Sequence, residues 1–377
     1  MELTSRERFL NTIMYKKIDH VFRWEAAGFW PTTIKNWKNQ GLPEYVGYED
    51  IMDSLFKVDG KNINTYFNMD SIKFIPVNSG WIGIPFYPFF KIKIIQEVGN
   101  NIIKIDQDGI IKKVRKVNPE TSMPQFLKYP VENIDDFNRI KFRLNPYSKE
   151  RLPSNWMELT NKYKKRNYPL GMFICGSYGF PRNLMGDENL MYALFDNQHL
   201  IIKIMENWLE LYQSYIEIIY RDITPDFVLF WEDMAYKNGS LISPLHFKKF
   251  MFPYLKKLIE FIKNKKIKVI ILDSDGDISE LIPIFIDAGI NAMFPFEVQA
   301  GMDIVKIRKQ YKDSFAIIGG IDKRALLERK TLEAEINKII PFMLEDGGYI
   351  PSLDHSVPHD ITLEAFRYYL NLLRKFK

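Results

Sequence analysis

Residues 270–297 read IILDSDGDISELIPIFIDAGINAMFPFE. Three apolar residues, continuing Val269 just before them, close on three aspartates, Asp273, Asp275 and Asp277, around Gly276. A stretch with apolar residues at three and four spacing follows, ends at Gly289, and gives way to a second short β-rich run. This is a strand, a helix and a strand, and the chain repeats it on both sides. Upstream stand DFVLFWED (226–233) and the helical pattern LHFKKFMFPYLKKLIEFIKNK (245–265), opened by Ser243 and Pro244. Downstream stand MDIVKIRKQYK (302–312), SFAIIGGID (314–322), TLEAEINKIIPFMLED (331–346) and GGYIPSLDH (347–355). Ser279 with Glu280 reads as the start of the helix inside the quoted stretch.

Three earlier runs extend the series: VFRWEAAG (21–28), SIKFIPV (71–77) and LGMFICGSYG (170–179). Eight short buried strands alternating with helices predict an α/β fold, a (β/α)8 TIM barrel, since no GxGxxG follows an early strand. KIKIIQEV (91–98), IIKID (102–106) and IIKKVRKV (110–117), separated by GNN and QDG, alternate apolar and polar residues. They predict an antiparallel β-meander inserted between strands 2 and 3, within an insertion of about 78–165. With no fixed repeat and no linker, residues 1–377 read as a single domain. The aromatic-rich GWIGIPFYPFF (80–90) reads as a lid, and the meander beside it as a cover for the mouth or for a homodimer interface.

Bulk properties exclude several classes. Fifty-two Lys and Arg against 47 Asp and Glu, spread evenly to a net charge of +5, leave no basic footprint for nucleic acid. Cys175 is the one cysteine, so there is no disulfide framework, and a reducing cytoplasmic location is expected. The start MELTSRERF carries charges where a signal peptide needs an apolar run, and reads as a helix capped at Thr4 or Ser5. The longest uncharged stretch, residues 74–90, holds three prolines and two glycines, so no membrane span is expected.

In such a barrel the chemistry sits where the strands end. Those ends are acidic: Glu25, Glu232, Asp233, Asp273, Asp275, Glu297, Asp322 and Asp354, the last beside His355. Carboxylates converging in a cavity repel one another unless a metal, a cationic substrate, neighbouring Arg and Lys, or protonation offsets them. Arg182, Lys323 and Arg324 fall in the same loops. His355, Asp354, Glu232 and Asp233 are the candidate catalytic groups, His355 because it titrates near neutral pH beside an acid. Glu25, Phe29 and Trp30 after the first strand, Tyr178 and Arg182 after the third, and Asp322 and Lys323 after the seventh are the candidate substrate contacts.

These residues resemble the uroporphyrinogen decarboxylase superfamily, which also holds corrinoid-linked methyltransferases and is related to cobalamin-independent methionine synthases. The resemblance rests on TSRERFLNTIMYKKIDHV (4–21), ISPLHFKKFMFPYLKKLIEFIK (242–263), the quoted stretch 270–297 and GGYIPSLDHSVPHDITLE (347–364). Decarboxylating members hold the substrate's carboxylates with two arginines in an Arg-Gln-Ala-Gly-Arg segment after the first strand. Here that segment is EAAGF (25–29), with Glu25 and Phe29 at the arginine positions. Methyltransferase members hold zinc with His-x-Cys after the fifth strand and a late cysteine. Asp273 and Asp275 stand at the first pair, Glu297 lies 24 residues after Asp273, and Leu353 falls at or near the late cysteine.

The resemblance therefore implies an all-oxygen divalent site on Asp273, Asp275 and Glu297, with zinc the family's metal. It also implies a corrinoid on a separate partner protein, because the chain has no Asp-x-His-x-x-Gly signature. The leading expectation is a methyltransferase acting on a methoxyl or methylamine type substrate. Its rivals are a lyase decarboxylating a porphyrinogen or another carboxylic acid, and a non-catalytic homologue that docks a corrinoid protein.

Overall fold

The computed structural model describes residues 2–47, 63–76, 85–117 and 124–376. In chain order the strands are β1 (Lys73–Phe74), β2 (Lys93–Val98), β3 (Asn101–Ile105), β4 (Ile111–Arg115), β5 (Gln125–Lys128), β6 (Leu170–Cys175) and β7 (Phe227–Trp231). They continue with β8 (Ala235–Tyr236), β9 (Gly239–Ser240), β10 (Val269–Asp273), β11 (Ala292–Phe294), β12 (Ala316–Ile318) and β13 (Tyr349–Ile350). Among the described residues, β1, β6, β7, β10, β11, β12 and β13 form one all-parallel sheet in that order, each pairing with its neighbour in the series.

The expected first strand departs from this pattern. Residues 21–25 join no ladder, residues 26–27 form a turn closed by Gly28 N–H on Glu25 O, and only Phe29 bridges to Val357. Side chains take the bonds a ladder would use. Asp70 accepts from the Arg23 amide at 3.0 Å, Ser352 Oγ accepts from Ala26 N–H at 3.1 Å, and Glu25 accepts from Leu353 N–H at 3.0 Å. The segment thus spans the gap between β1 and β13 through carboxyl and hydroxyl groups.

Strand alternation divides the core in two. Phe227, Leu229, Val269, Ile271, Ala292, Phe294, Ala316 and Ile318 pack with Phe22, Trp24 and Phe74 inside the curl of the sheet. Val228, Phe230, Ile270, Leu272, Met293 and Ile317 pack outward under the helices. Trp231 follows Leu229 and Asp273 follows Ile271 in the inward row. Register sets Trp231 beside Asp273 and Asp273 beside Phe294, so a carboxyl tops an apolar column.

Helix signals hold in most places. Thr4 caps Ser5–Ile13 in a full capping box with Glu7, and Ser243 caps Pro244–Phe250. The long pattern at 245–265 splits into Pro244–Phe250 and Phe252–Asn264 because Pro253 cannot continue a preceding turn. Ser279 does not open the next helix, which runs Ile282–Ala288; its hydroxyl meets the Met302 sulfur instead. No helix among the described residues is long and apolar enough to cross a membrane.

β2 to β5 form a separate antiparallel sheet, with β2 at one edge and exposed along its whole length. The chain returns from it to the parallel sheet through Tyr129, which fills the space where a Cβ on Gly186 would stand, and through Val131 N–H, bonded to Leu184 O at 3.0 Å. Of the expected lid, residues 80–84 lie outside the described residues. Residues 85–90 are pinned: Arg151 donates to Pro85 O at 2.7 Å, and Arg143 donates to Pro88 O at 2.6 Å and Phe89 O at 3.0 Å. Its guanidinium also lies 4.1 Å from the Phe90 ring centre, so this part is a fixed strap.

Candidate active site

The acids at the strand ends fall into two groups. Glu232, Asp354 and Glu25 are buried and consumed by the backbone. Glu232 accepts from Ser177 N–H at 2.7 Å, Ser177 Oγ at 2.8 Å, Tyr178 N–H at 2.7 Å and Gly179 N–H at 3.4 Å. It thereby closes the turn from β6 into the helix Gly179–Met185. The approach is so close that a Cβ on Gly176 would stand 2.3 Å from the Glu232 carboxyl carbon. Burial raises the Glu232 pKa, opposed by the Tyr178 and Ser177 donors.

Asp354 accepts from Val298 N–H at 2.9 Å and Lys323 N–H at 3.0 Å, tying the loops after β11 and β12. Burial raises its pKa against the Lys323 charge. Glu25 accepts from Ser352 Oγ at 3.1 Å and Leu353 N–H at 3.0 Å, and burial pushes its carboxyl up to about 7. The expectation that Glu232 and Asp354 carry protons, and that Glu25 meets substrate, is corrected here. Their lone pairs already hold the loops.

The second group keeps free capacity and lines the mouth. Asp233, in a left-handed conformation at φ 45°, takes Arg182 at 3.2 Å, and Arg182 also donates to its carbonyl. Burial raises the Asp233 pKa and the Arg182 charge opposes it. Asp275 lies 3.3 Å from His355 Nε2. Ser356 N–H donates to His355 Nδ1 at 2.7 Å, which leaves Nε2 as the proton-bearing nitrogen. Burial would lower the His355 pKa, but the Asp275 bond and charge outweigh it and the pKa is raised.

Glu297 accepts from Gly276 N–H at 3.2 Å and lies 3.7 Å from Lys323 Nζ, which is 3.9 Å from Asp354. Asp273 stands apart. Among the described residues its carboxyl has no hydrogen-bond donor and no cation. Burial, then Asp275 and Asp233, raise its pKa well above the ordinary value, so it keeps its proton to higher pH than a free carboxyl does.

The remaining expected contacts separate as follows. Trp30 is 44% exposed and stacks on His355, with ring centres 6.3 Å apart and 17° between planes. Phe29 is 2% exposed, edge-on to Trp37 and Phe366 in the outer core, and so cannot meet a substrate. Tyr178 is fully buried and donates to Asp187 at 2.9 Å; burial raises its pKa. Asp322 caps the turn Lys323–Leu327 and is held by Arg324, whose hydrogen bonds outweigh burial and lower its pKa. Cys175 is buried and free, and burial and Glu232 push its thiol up, which makes it inert.

Two neighbours of Arg182 escaped the sequence reading. Trp231 presents its ring 5.0 Å from the guanidinium, and Asp187 anchors Tyr178 beside it. Trp231 was within reach, since it continues the alternation of Phe227 and Leu229; nothing in the sequence marks Asp187.

Two of the three donors expected to hold a metal are engaged elsewhere. Asp275 holds His355, Glu297 holds Gly276 N–H and Lys323, and among the described residues no three His, Cys, Asp or Glu side chains are grouped to hold an ion. Asp273, Asp275 and Glu297 in this arrangement do not fit a divalent cation.

A family model described as uroporphyrinogen decarboxylase matches residues 115–376. Among curated relatives, a uroporphyrinogen decarboxylase from Chlorobium limicola is 25% identical over 33% of this chain and 35% of its own length. Another, from Chloroherpeton thalassium, is 22% identical over 36% of this chain and 39% of its own length. The matches thus span little more than a third of these relatives. Among solved structures, a methyltransferase from Methanosarcina mazei is similar over 99% of both chains, with a TM-score of 0.63 and 12% identity, a likeness of fold.

Proposed function

The chain belongs to the uroporphyrinogen decarboxylase family, and from that premise we propose that it is a methyltransferase-type member. It moves a methyl group from a small substrate of methoxyl or methylamine type to an acceptor carried by a separate corrinoid protein or a pterin. The observation that carries this reading is the distribution of charge in the mouth. Arg182 is spent on Asp233, and Lys323 on Glu297 and Asp354. Neither is left to grip a ring bearing several carboxylates. The first run, where decarboxylating members place two arginines, offers a buried Glu25 and a core Phe29.

Methyl transfer breaks the bond between the methyl carbon and its heteroatom. The electron pair stays on the heteroatom, the methyl bonds to the acceptor, and a donor that becomes an alkoxide takes up a proton. Asp273 at the top of the inward row and His355 beside Asp275 both have raised pKa values, which makes them the groups to deliver such a proton. Trp30 and Trp231 supply the apolar surface that excludes water from a small substrate.

The test offers the purified protein a methoxylated benzoate or trimethylamine, with reduced free cobalamin as acceptor, and reads methylcobalamin by its absorbance. Formation that Asp273→Asn abolishes supports the reading. The second reading, decarboxylation, is favoured by the name of the family model and of both curated relatives. Uroporphyrinogen in the same preparation decides between them: carbon dioxide release without methyl transfer overturns the first.

A further inference from the structure

Two helices, Asp187–Asp196 and Pro244–Phe250, meet through their side chains and leave large apolar groups in solvent. Leu245 is 74% exposed, more than any other large apolar side chain among the described residues; Phe195 is 67% exposed and Tyr192 62%. Tyr192 and Phe195 lie three residues apart on the first helix and so share a face. The Phe195 ring meets the His246 ring edge-on, with centres 4.7 Å apart, and Leu245 precedes His246. Exposed apolar side chains scattered singly are ordinary. Three grouped around one contact mark a surface that another chain covers.

The border of the group is charged, with opposite signs on the two helices. Glu188 and Asp196 stand exposed on the first helix, Lys248 and Lys249 on the second. Among the described residues Glu188, Asp196 and Lys248 form no ion pair, and Lys249 reaches only a neutral acceptor, Gln198 Oε1 at 3.2 Å. A partner of one charge sign would be attracted at one helix and repelled at the other. A second copy avoids this. Turned about a two-fold axis at the Phe195–His246 contact, it sets acidic helix against basic helix twice, since in such an interface the same patch serves both sides.

We propose that this face pairs with the same face of a second copy of the chain, in a two-fold dimer with Tyr192, Phe195 and Leu245 at its centre and the four charges at its rim. An apolar centre inside a polar rim is the build of protein interfaces in general. The antiparallel sheet is a poorer place for a second copy. Its edge strand β2 exposes Ile94 and Ile95, but Lys93 and the register break between Ile94 and Gln96 deter a further strand from adding there. The dimer is independent of the reaction proposed above.

The test is sedimentation velocity of the full chain from about 1 to 100 µM, the range in which a small interface associates. The sedimentation coefficient should rise with concentration from that of a monomer to that of a dimer, and stay at the monomer value in Phe195→Glu. That side chain is exposed, so the variant should unfold at the wild-type temperature. Two double variants read the symmetry. Lys248→Glu with Lys249→Glu, and Glu188→Lys with Asp196→Lys, each set like charges face to face and should weaken self-association about tenfold or more. Mixed one to one, the two should form a heterodimer, because every facing pair of helices is then opposite in charge. A chain that stays monomeric throughout, a dimer indifferent to Phe195→Glu, or a mixture that fails to associate overturns the proposal.

Discussion

Glu232 and Asp273 end adjacent strands, and the Glu232 N–H bonds the Asp273 carbonyl at 2.9 Å, yet their side chains live in opposite surroundings. Glu232 points to the turn after β6, where three amides and a hydroxyl converge on it. Asp273 ends the inward row of β10 and meets only the charges of Asp275 and Asp233. An acid at a strand end is structural when amides saturate it and available for chemistry when nothing does. Residue type and position along the strand do not separate the two cases; the direction of the side chain does.

The largest expected effect tests the structural side. Glu232→Ala orphans the Ser177 and Tyr178 amides in a dry turn and should cost about 4 kcal/mol in urea denaturation, with Glu232→Gln intermediate because one acceptor oxygen survives. A loss below about 1 kcal/mol would remove the contrast with Asp273.

Glu25 sharpens the comparison through pH. Its pKa rises from 4.5 to about 7 on folding, so the folded chain binds this proton more tightly than the unfolded one. The contribution is complete below about 4.5 and is lost as pH rises through about 7, a span of about 3 kcal/mol. Denaturation midpoints measured from pH 4.5 to 7.5 should fall on this account, and Glu25→Gln should flatten the slope. A slope unchanged in that variant would locate the titration elsewhere.

Asp273→Asn is the converse case. Stability should hold or rise slightly, since a carboxyl among like charges is removed, while methyl transfer should fall at least about 100-fold. A stable and fully active variant would move Asp273 into the structural group.

Much of this was legible in the sequence. Period-two runs, helical spacing and caps such as Thr4 and Ser243 encode local choices, and seven of the expected runs pair in the parallel sheet. The first run was misread because its apolar pattern is that of a strand while its Arg23 and Ala26 amides are satisfied by the side chains of Asp70 and Ser352, remote in sequence, and its own Glu25 carboxyl takes the Leu353 amide. The acids at the strand ends were located by rule, but their sorting into braces and free groups depends on which amides a loop presents. Phe29 failed for a related reason: past Gly28, at φ 70°, the chain turns and delivers the ring to the outer core.

The subtlest prediction concerns Asp275, which acts on both candidate proton donors at once. Its charge and hydrogen bond hold the His355 pKa up, and its charge also holds the Asp273 pKa up. Asp275→Asn removes both influences, so each donor loses its proton at a lower pH than before. If the proton delivered in methyl transfer comes from either group, the alkaline limb of the pH–rate profile must move to lower pH. Turnover on the acid side of that limb should change by less than about tenfold, because Asp275 itself gives up no proton. A limb that stays in place would show that neither His355 nor Asp273 supplies the proton. A limb that Asp275→Asn still displaces in a His355→Gln background would assign the donor to Asp273, the acid that no amide claims.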